Sequence, residues 1–244
     1  MTPGRVMRAE WVKFGTLISN PLTMLVAFLL IAVLAVVLVW ARSTESAVPT
    51  MTELLTGASW AQMLVAVLAA VFACAEWSSG TSQVTFLAAP TRWPVLIGKA
   101  VVMGATAFLA GALGAAGALI AGAAGGVDVE AHLSLTTRLV FGTGVYLAGI
   151  AILAVGIGVI VRNLIAGIVT VIGFIWVLPL AITLIPWEPL QHVVPYLPSP
   201  AGGLLVAAEN PASNLTPWGG GAVLLAWAAA GLIAAALVLR RRDV

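Results

Sequence analysis

The chain has 244 residues, of which 61% are hydrophobic and 8% charged, with a formal net charge of +2. Soluble domains carry about a quarter charged residues, so this chain cannot clothe a globule in polar surface and reads as a membrane protein. The single cysteine, Cys74, excludes an internal disulfide.

Charged residues divide the chain into uncharged gaps at 14–41, 54–75, 100–127, 139–161, 163–187 and 210–239, the shortest holding 22 residues. About 20 apolar residues cross a bilayer as a helix. Six spans are therefore expected, at about 22–40, 58–75, 100–124, 139–161, 164–185 and 218–239. The segments lack the alternating polarity of a β-barrel. The first run is too long for a cleaved signal peptide and ends without a small-residue cleavage site. The expected fold is an all-α membrane protein forming one transmembrane domain over 1–244.

Residues 5–19 form the first element. Val6, Ala9, Val12, Phe14 and Leu17 give an apolar stripe, and Arg5, Arg8 and Lys13 a basic side, with Trp11 among them. That pattern predicts an amphipathic helix lying in the interface on anionic lipid; a basic tail that only sets topology is the alternative. Asn20-Pro21 is expected to break it before the first span. That span has no charged group and is expected to face lipid.

The third span is rich in glycine and alanine, with Gly111, Gly114 and Gly117, and Gly122 and Gly126 in G-x-x-x-G register. Small residues let helices approach closely, here for internal packing or, alternatively, a dimer face. Arg162-Asn163 joins the fourth and fifth spans in a tight turn. Pro179 is expected to kink the fifth span. The segment 186–217 holds seven of the thirteen prolines. It predicts short re-entrant or surface helices broken by Pro195, Pro198 and Pro200, forming a lid over an outer cavity.

With the N-terminus inside, nine Lys and Arg residues fall inside and two, Arg42 and Arg138, outside. The positive-inside rule then places both termini in the cytoplasm. It also makes 76–99 the longest cytoplasmic loop. Ser82 to Ala88 can form two helical turns with Val84, Leu87 and Ala88 on one side. Thr81 stands at their start and Pro90 ends them. Lys99 is expected to snorkel at the inner interface.

The chemistry absent is as informative. No P-loop is present, since Gly98-Lys99 is followed by alanine. His132 and His192 lie far apart, without metal-ligand spacing. No G-x-S-x-G elbow occurs. No ionisable residue falls at the middle of a predicted span, against an ion-coupled carrier. Energy for any transport would have to enter from a partner.

Glu76, Gly80-Thr81, Leu87, Pro90, Arg92, Leu96 and Lys99 give the order E-x-x-x-G-T…L…P-x-R…L…K. With six spans, a basic N-terminal helix and Leu-Pro-Ser at 197–199, the chain resembles the type-2 ABC transporter permeases. The resemblance implies the membrane-spanning permease subunit of an ATP-driven exporter in a bacterial plasma membrane. It implies a second copy or paralogue, and a separate ATPase subunit that binds ATP and Mg. No cofactor would sit in this chain, and it would not itself be an enzyme. The helix over 82–88 would be a cytoplasmic coupling helix seated in that ATPase, and Glu76 and Arg92 polar contacts nearby. Membrane lipid is a further expected partner, and nucleic acid is not one. The uncharged bundle points to an amphipathic or hydrophobic substrate: a drug, a peptide antibiotic or a lipid-like molecule. A structural or sensory membrane protein that recruits partners is the alternative, with an intramembrane enzyme a distant third.

Overall fold

The computed structural model describes residues 3–44, 47–78, 93–129, 131–208 and 215–241. Among these there are helices and no strand. In chain order they are α1 (Pro3–Thr16), α2 (Ser19–Thr44), α3 (Met51–Leu54), α4 (Gly57–Ser78), α5 (Trp93–Ala124) and α6 (Leu133–Val161). Then come α7 (Leu164–Ile172), a π turn (Gly173–Val177), α8 (Leu178–Thr183), α9 (Glu188–Gln191), a 3-10 turn (Val194–Tyr196), α10 (Pro198–Gly203) and α11 (Pro217–Arg241). Six helical stretches among the described residues are long and apolar enough to cross a membrane: Ser19–Thr44, Met51–Ala75, Trp93–Ala124, Leu133–Val161, Leu164–Thr183 and Pro217–Arg240. They give the chain the build of a multi-pass membrane protein.

The bundle is organised around α6. Its most apolar window is 67% buried within the protein, against 22% for α2, for the α7–α8 stretch and for α11. The reason lies in its small residues. A Cβ on Gly156 would stand 2.7 Å from the Gly231 backbone, so α6 and α11 meet almost backbone to backbone. On another side, a Cβ on Gly158 would come within 2.8 Å of Ala73 on α4. Such close approach lets dispersion and packing hold helices together where no hydrophobic effect operates between them.

The first span has two faces. Asn20, Met24, Ala27, Ile31 and Ala35 are buried at spacings of three and four. Leu22, Leu25, Leu29, Val33 and Val36 are exposed on the other side, as the expected lipid-facing role requires. The break before it differs from expectation. The α1–α2 corner lies at Leu17 and Ile18, and Pro21 sits inside the first turn of α2, where its missing N–H is harmless. Asn20 fixes the corner by donating its side-chain N–H to the Phe14 carbonyl at 3.2 Å.

The third-span glycines pack internally. A Cβ on Gly111 would meet the Thr143 carbonyl of α6 at 2.7 Å, and one on Gly114 would meet Ile31 of α2 at 2.9 Å. Gly126 is a correction to the G-x-x-x-G register. It lies beyond the end of α5 with φ of +92°, and the Val127 N–H reaches back to the Gly122 carbonyl at 3.0 Å. Gly126 therefore ends the helix rather than packing it. A bilayer core is about 30 Å thick, whereas the 32 residues of α5 rise about 48 Å. The helix must project from the core. Trp93 to Lys99, expected in the loop, form its first two turns.

Around Pro179, where a kink is expected, the structure has a π turn just before the proline. Proline has no N–H to give to the preceding turn, and the Leu178 N–H bonds the Gly173 carbonyl five residues back. Buried positions along this span are Gly167, Val171, Ile175 and Pro179, each four apart. In a plain α-helix a spacing of four drifts about 40° per step; the wide turn takes up that drift. Between α6 and α7, Arg162 adopts the left-handed conformation (φ 58°), and the Asn163 side chain caps α7 through the Ala166 N–H at 3.0 Å.

Candidate functional site

The two ends of the bundle carry different polar chemistry. At the end where α1 lies, α1 packs along the start of α5. Val6, Glu10 and Phe14 form its buried face, one every fourth residue. This corrects the expected stripe: Ala9, Val12 and Leu17 are exposed. Counting apolar residues alone hid the true face, because its middle member is a carboxylate.

Glu10 and Lys99 are 1% and 2% exposed, and the Lys99 Nζ donates to Glu10 Oε2 at 3.0 Å. The other carboxylate oxygen, Oε1, accepts from Lys13 Nζ at 2.9 Å. Lys99 also stands 4.8 Å from the centre of the Phe72 ring on α4, a cation–π contact. Phe72 in turn meets Phe14 edge-on at 6.1 Å. Lys99 is thus not snorkelling at a headgroup surface: α1 covers it, and a carboxylate receives its charge. A buried carboxylate or ammonium costs several kcal/mol to desolvate, on the order of what a well-placed partner returns. The pair therefore makes the α1–α5 contact specific: no other residue of α1 could answer Lys99. Gly98 makes room for it, since a Cβ there would press on Glu10 Cγ at 3.2 Å.

Of the expected interfacial residues, Arg5, Arg8 and Trp11 are exposed and Lys13 is half-buried. Of the expected coupling residues, Gly80, Thr81, Val84, Leu87, Ala88, Pro90 and Arg92 lie outside the described residues. Glu76 lies in the last turn of α4. The anchored pair stands close to both ends of this segment. Chain 79–92 leaves α4 one residue after Ser78 and enters α5 at Trp93, six residues before Lys99. Beside it, the Arg162 guanidinium lies 5.7 Å from the Trp77 ring, tying the α6–α7 turn to the end of α4.

Towards the opposite end one buried polar cluster is neutral. Tyr146, fully buried on α6, donates its hydroxyl to Gln62 Oε1 of α4 at 2.6 Å. The same oxygen accepts from Ser199 Oγ of α10 at 3.0 Å. Pro198 is buried at the start of α10, while Pro195 and Pro200 are half-buried. Gly202 lies flat against the Tyr146 ring, and a Cβ there would also meet Leu224 of α11 at 2.9 Å. The 3-10 turn is held by the Trp227 indole N–H, which donates to the Tyr196 carbonyl at 2.8 Å. Nearby, Arg138 Nη2 donates to the Ala207 carbonyl at 2.9 Å, and Arg42 pairs with Glu53 at 2.6 Å.

Glu10, Phe72, Gln62, Tyr146 and Ser199 escaped the sequence reading as site residues. Two signals were present. Glu10 sits at four-residue spacing between Val6 and Phe14, and Gln62 is the one amide in the second span. No family model matches the chain, and no match to a curated protein is found.

Proposed function

We propose that the chain is the membrane-spanning permease subunit of an ATP-driven exporter resembling the type-2 ABC permeases. It would move an amphipathic or hydrophobic substrate across a bacterial plasma membrane. A separate ATPase would bind ATP and Mg and grip the 76–99 region from the cytoplasm. A second copy or paralogue would complete the pathway.

One observation carries the reading: the buried Glu10–Lys99 pair ties α1 to the base of α5, at the exit of the segment with the E-x-x-x-G-T…P-x-R pattern. A displacement delivered to 79–92 would move α4 and α5 directly, and α1 with them through that pair. This is the coupling an ATP-driven membrane subunit without its own nucleotide site requires. Rigid packed elements transmit such a push because they shift between discrete arrangements rather than deform.

The test is transport by the purified chain with its cognate ATPase in vesicles. ATP-dependent transport is expected, and equal transport without the ATPase would overturn the reading. Leu87→Asp is expected to reduce co-purification of the ATPase while leaving the helical spectrum of the chain unchanged. Undiminished co-purification would remove 82–88 as the contact.

A further inference from the structure

The fifth and sixth spans, α7–α8 and α11, face each other across a crevice whose two halves are filled differently. The half towards α1 is a groove of about 410 Å³. Leu153, Ile157 and Ile160 of α6 form its floor, and Ala230 and Ala234 of α11 one wall. In the other half the 3-10 turn and α10 stand between the spans, packed on α8 and the π turn to one side and on α11 to the other. The floor continues beneath this insert. Gly202 lies on the Tyr146 ring, and a Cβ on Gly142 would meet the Leu205 carbonyl at 2.7 Å. One helix, α6, thus floors the crevice from Gly142 to Ile160, a rise of about 27 Å in a hydrocarbon core of ~30 Å.

Trp227 marks the boundary between the halves. Its ring meets Phe174 of the π turn edge-to-face at the head of the groove, centroids 5.3 Å apart and planes at 69°. Its indole N–H donates to the Tyr196 carbonyl at the tip of the insert, at 2.8 Å. The insert and the chain that leads into it are packed differently. Leu197, Ala201 and Leu205 are buried, whereas Leu184, Trp187 and Val193 are 76%, 61% and 47% exposed. The leading chain can therefore move without opening the core.

We propose that the insert is a removable stopper latched by Trp227, whose release joins the groove to the opposite end as one route along α6. The route suits an apolar molecule with an uncharged hydrogen-bonding group. No Asp, Glu, Lys or Arg lines the groove, so a charged molecule would meet no counter-charge there. The groove's Thr170 hydroxyl is spent on the Ala166 carbonyl at 2.7 Å. In the other half, withdrawal of Ser199 uncovers the Gln62 amide and the Tyr146 hydroxyl, which stand ready for such a group. The pathway of the proposed exporter then lies within one copy of the chain. The inference rests on that reading for what is transported, and release of the stopper is measured without it.

The experiment labels the full chain in vesicles with a membrane-impermeant thiol reagent. Cys74 is buried, so the parent chain gives the blank. Ala201→Cys, at a fully buried position of the insert, should react slowly. Combined with Trp227→Phe, which keeps a ring against Phe174 and removes the N–H, it should react about five times faster, the scale of one lost hydrogen bond. Ala107→Cys, at an equally buried position of α5, should stay slow in both backgrounds. An unchanged rate at 201 would overturn the latch. Equal acceleration at 107 would also overturn it, by showing that Trp227→Phe loosens the whole bundle. Transport with the cognate ATPase tests the route. Ala234 is exposed, so Ala234→Phe narrows the groove from its open side and should slow transport about tenfold. Undiminished transport in that variant would overturn the route. No transport by the parent chain would instead overturn the exporter reading, and the labelling rates would still decide the latch.

Discussion

The two ends of the bundle solve the same problem with different chemistry. Each must hold a short, peripheral element against long spans. At one end α1 is held by a buried ion pair, Glu10–Lys99, backed by Phe72 and Phe14. At the other, α10 is held by neutral groups, Gln62 accepting from Tyr146 and Ser199. The difference lies in what happens when the contact opens. Opening the α1 contact parts Lys99 from Glu10, which keeps Lys13 as its partner on α1, and so gives up a buried charge-assisted hydrogen bond. A parted hydroxyl and amide lose far less, so the α10 contact can loosen by degrees.

Breaking the charged end should have the largest effect. Glu10→Leu removes the carboxylate shared by Lys99 and Lys13 and should cost about 3–5 kcal/mol, whereas Lys99→Met leaves Glu10 paired with Lys13 and should cost less. The double replacement should recover most of the Glu10→Leu loss, because the ammonium is then no longer buried. Unfolding of the purified chain in mixed micelles, titrated with a denaturing detergent, measures all three. Equal losses in the double variant and in Glu10→Leu would show that the pair is not the source of the stability.

At the neutral end, Gln62→Leu strands the buried Tyr146 hydroxyl and should cost about 1–3 kcal/mol. The same titration reads it, and Gln62→Leu with Tyr146→Phe should be milder than Gln62→Leu alone. The smallest effect is expected for Ser199→Ala. Ser199 is half-buried, and Gln62 keeps Tyr146 as its partner, so the loss should be about 0.5–1.5 kcal/mol. Proteolysis within 186–208 would sharpen the contrast: Ser199→Ala should speed cleavage there, and Glu10→Leu should not. The opposite pattern would show that the two ends are not held independently.

How much was legible in the sequence follows the range of each interaction. The spans were readable because charge is excluded from stretches of 22 residues and more, a local property. The tight α6–α7 turn was readable for the same reason. The face of α1 was misread because Glu10 looks polar from its own neighbours, and its partner stands 89 residues away. Gln62 and Tyr146 are 84 residues apart; neither carries a local sign of the other. Gly126 has the spacing of a packing glycine and the job of a helix stop, and only the backbone angle separates the two.

The π turn at Gly173–Val177 gives the fifth span a mechanical property that its neighbours lack. A helix with one surplus residue in a single turn is a wound spring with a known slack. Deleting one residue between 173 and 177 would remove that slack and rewind the stretch to ordinary pitch. One spacing along the buried line would then be three residues, about 60° short of a turn, against the 40° by which each spacing of four overshoots, so Pro179 would stay close to the buried line it shares with Gly167, Val171 and Ile175. In this span, torque applied at one half would be taken up at a single defined point.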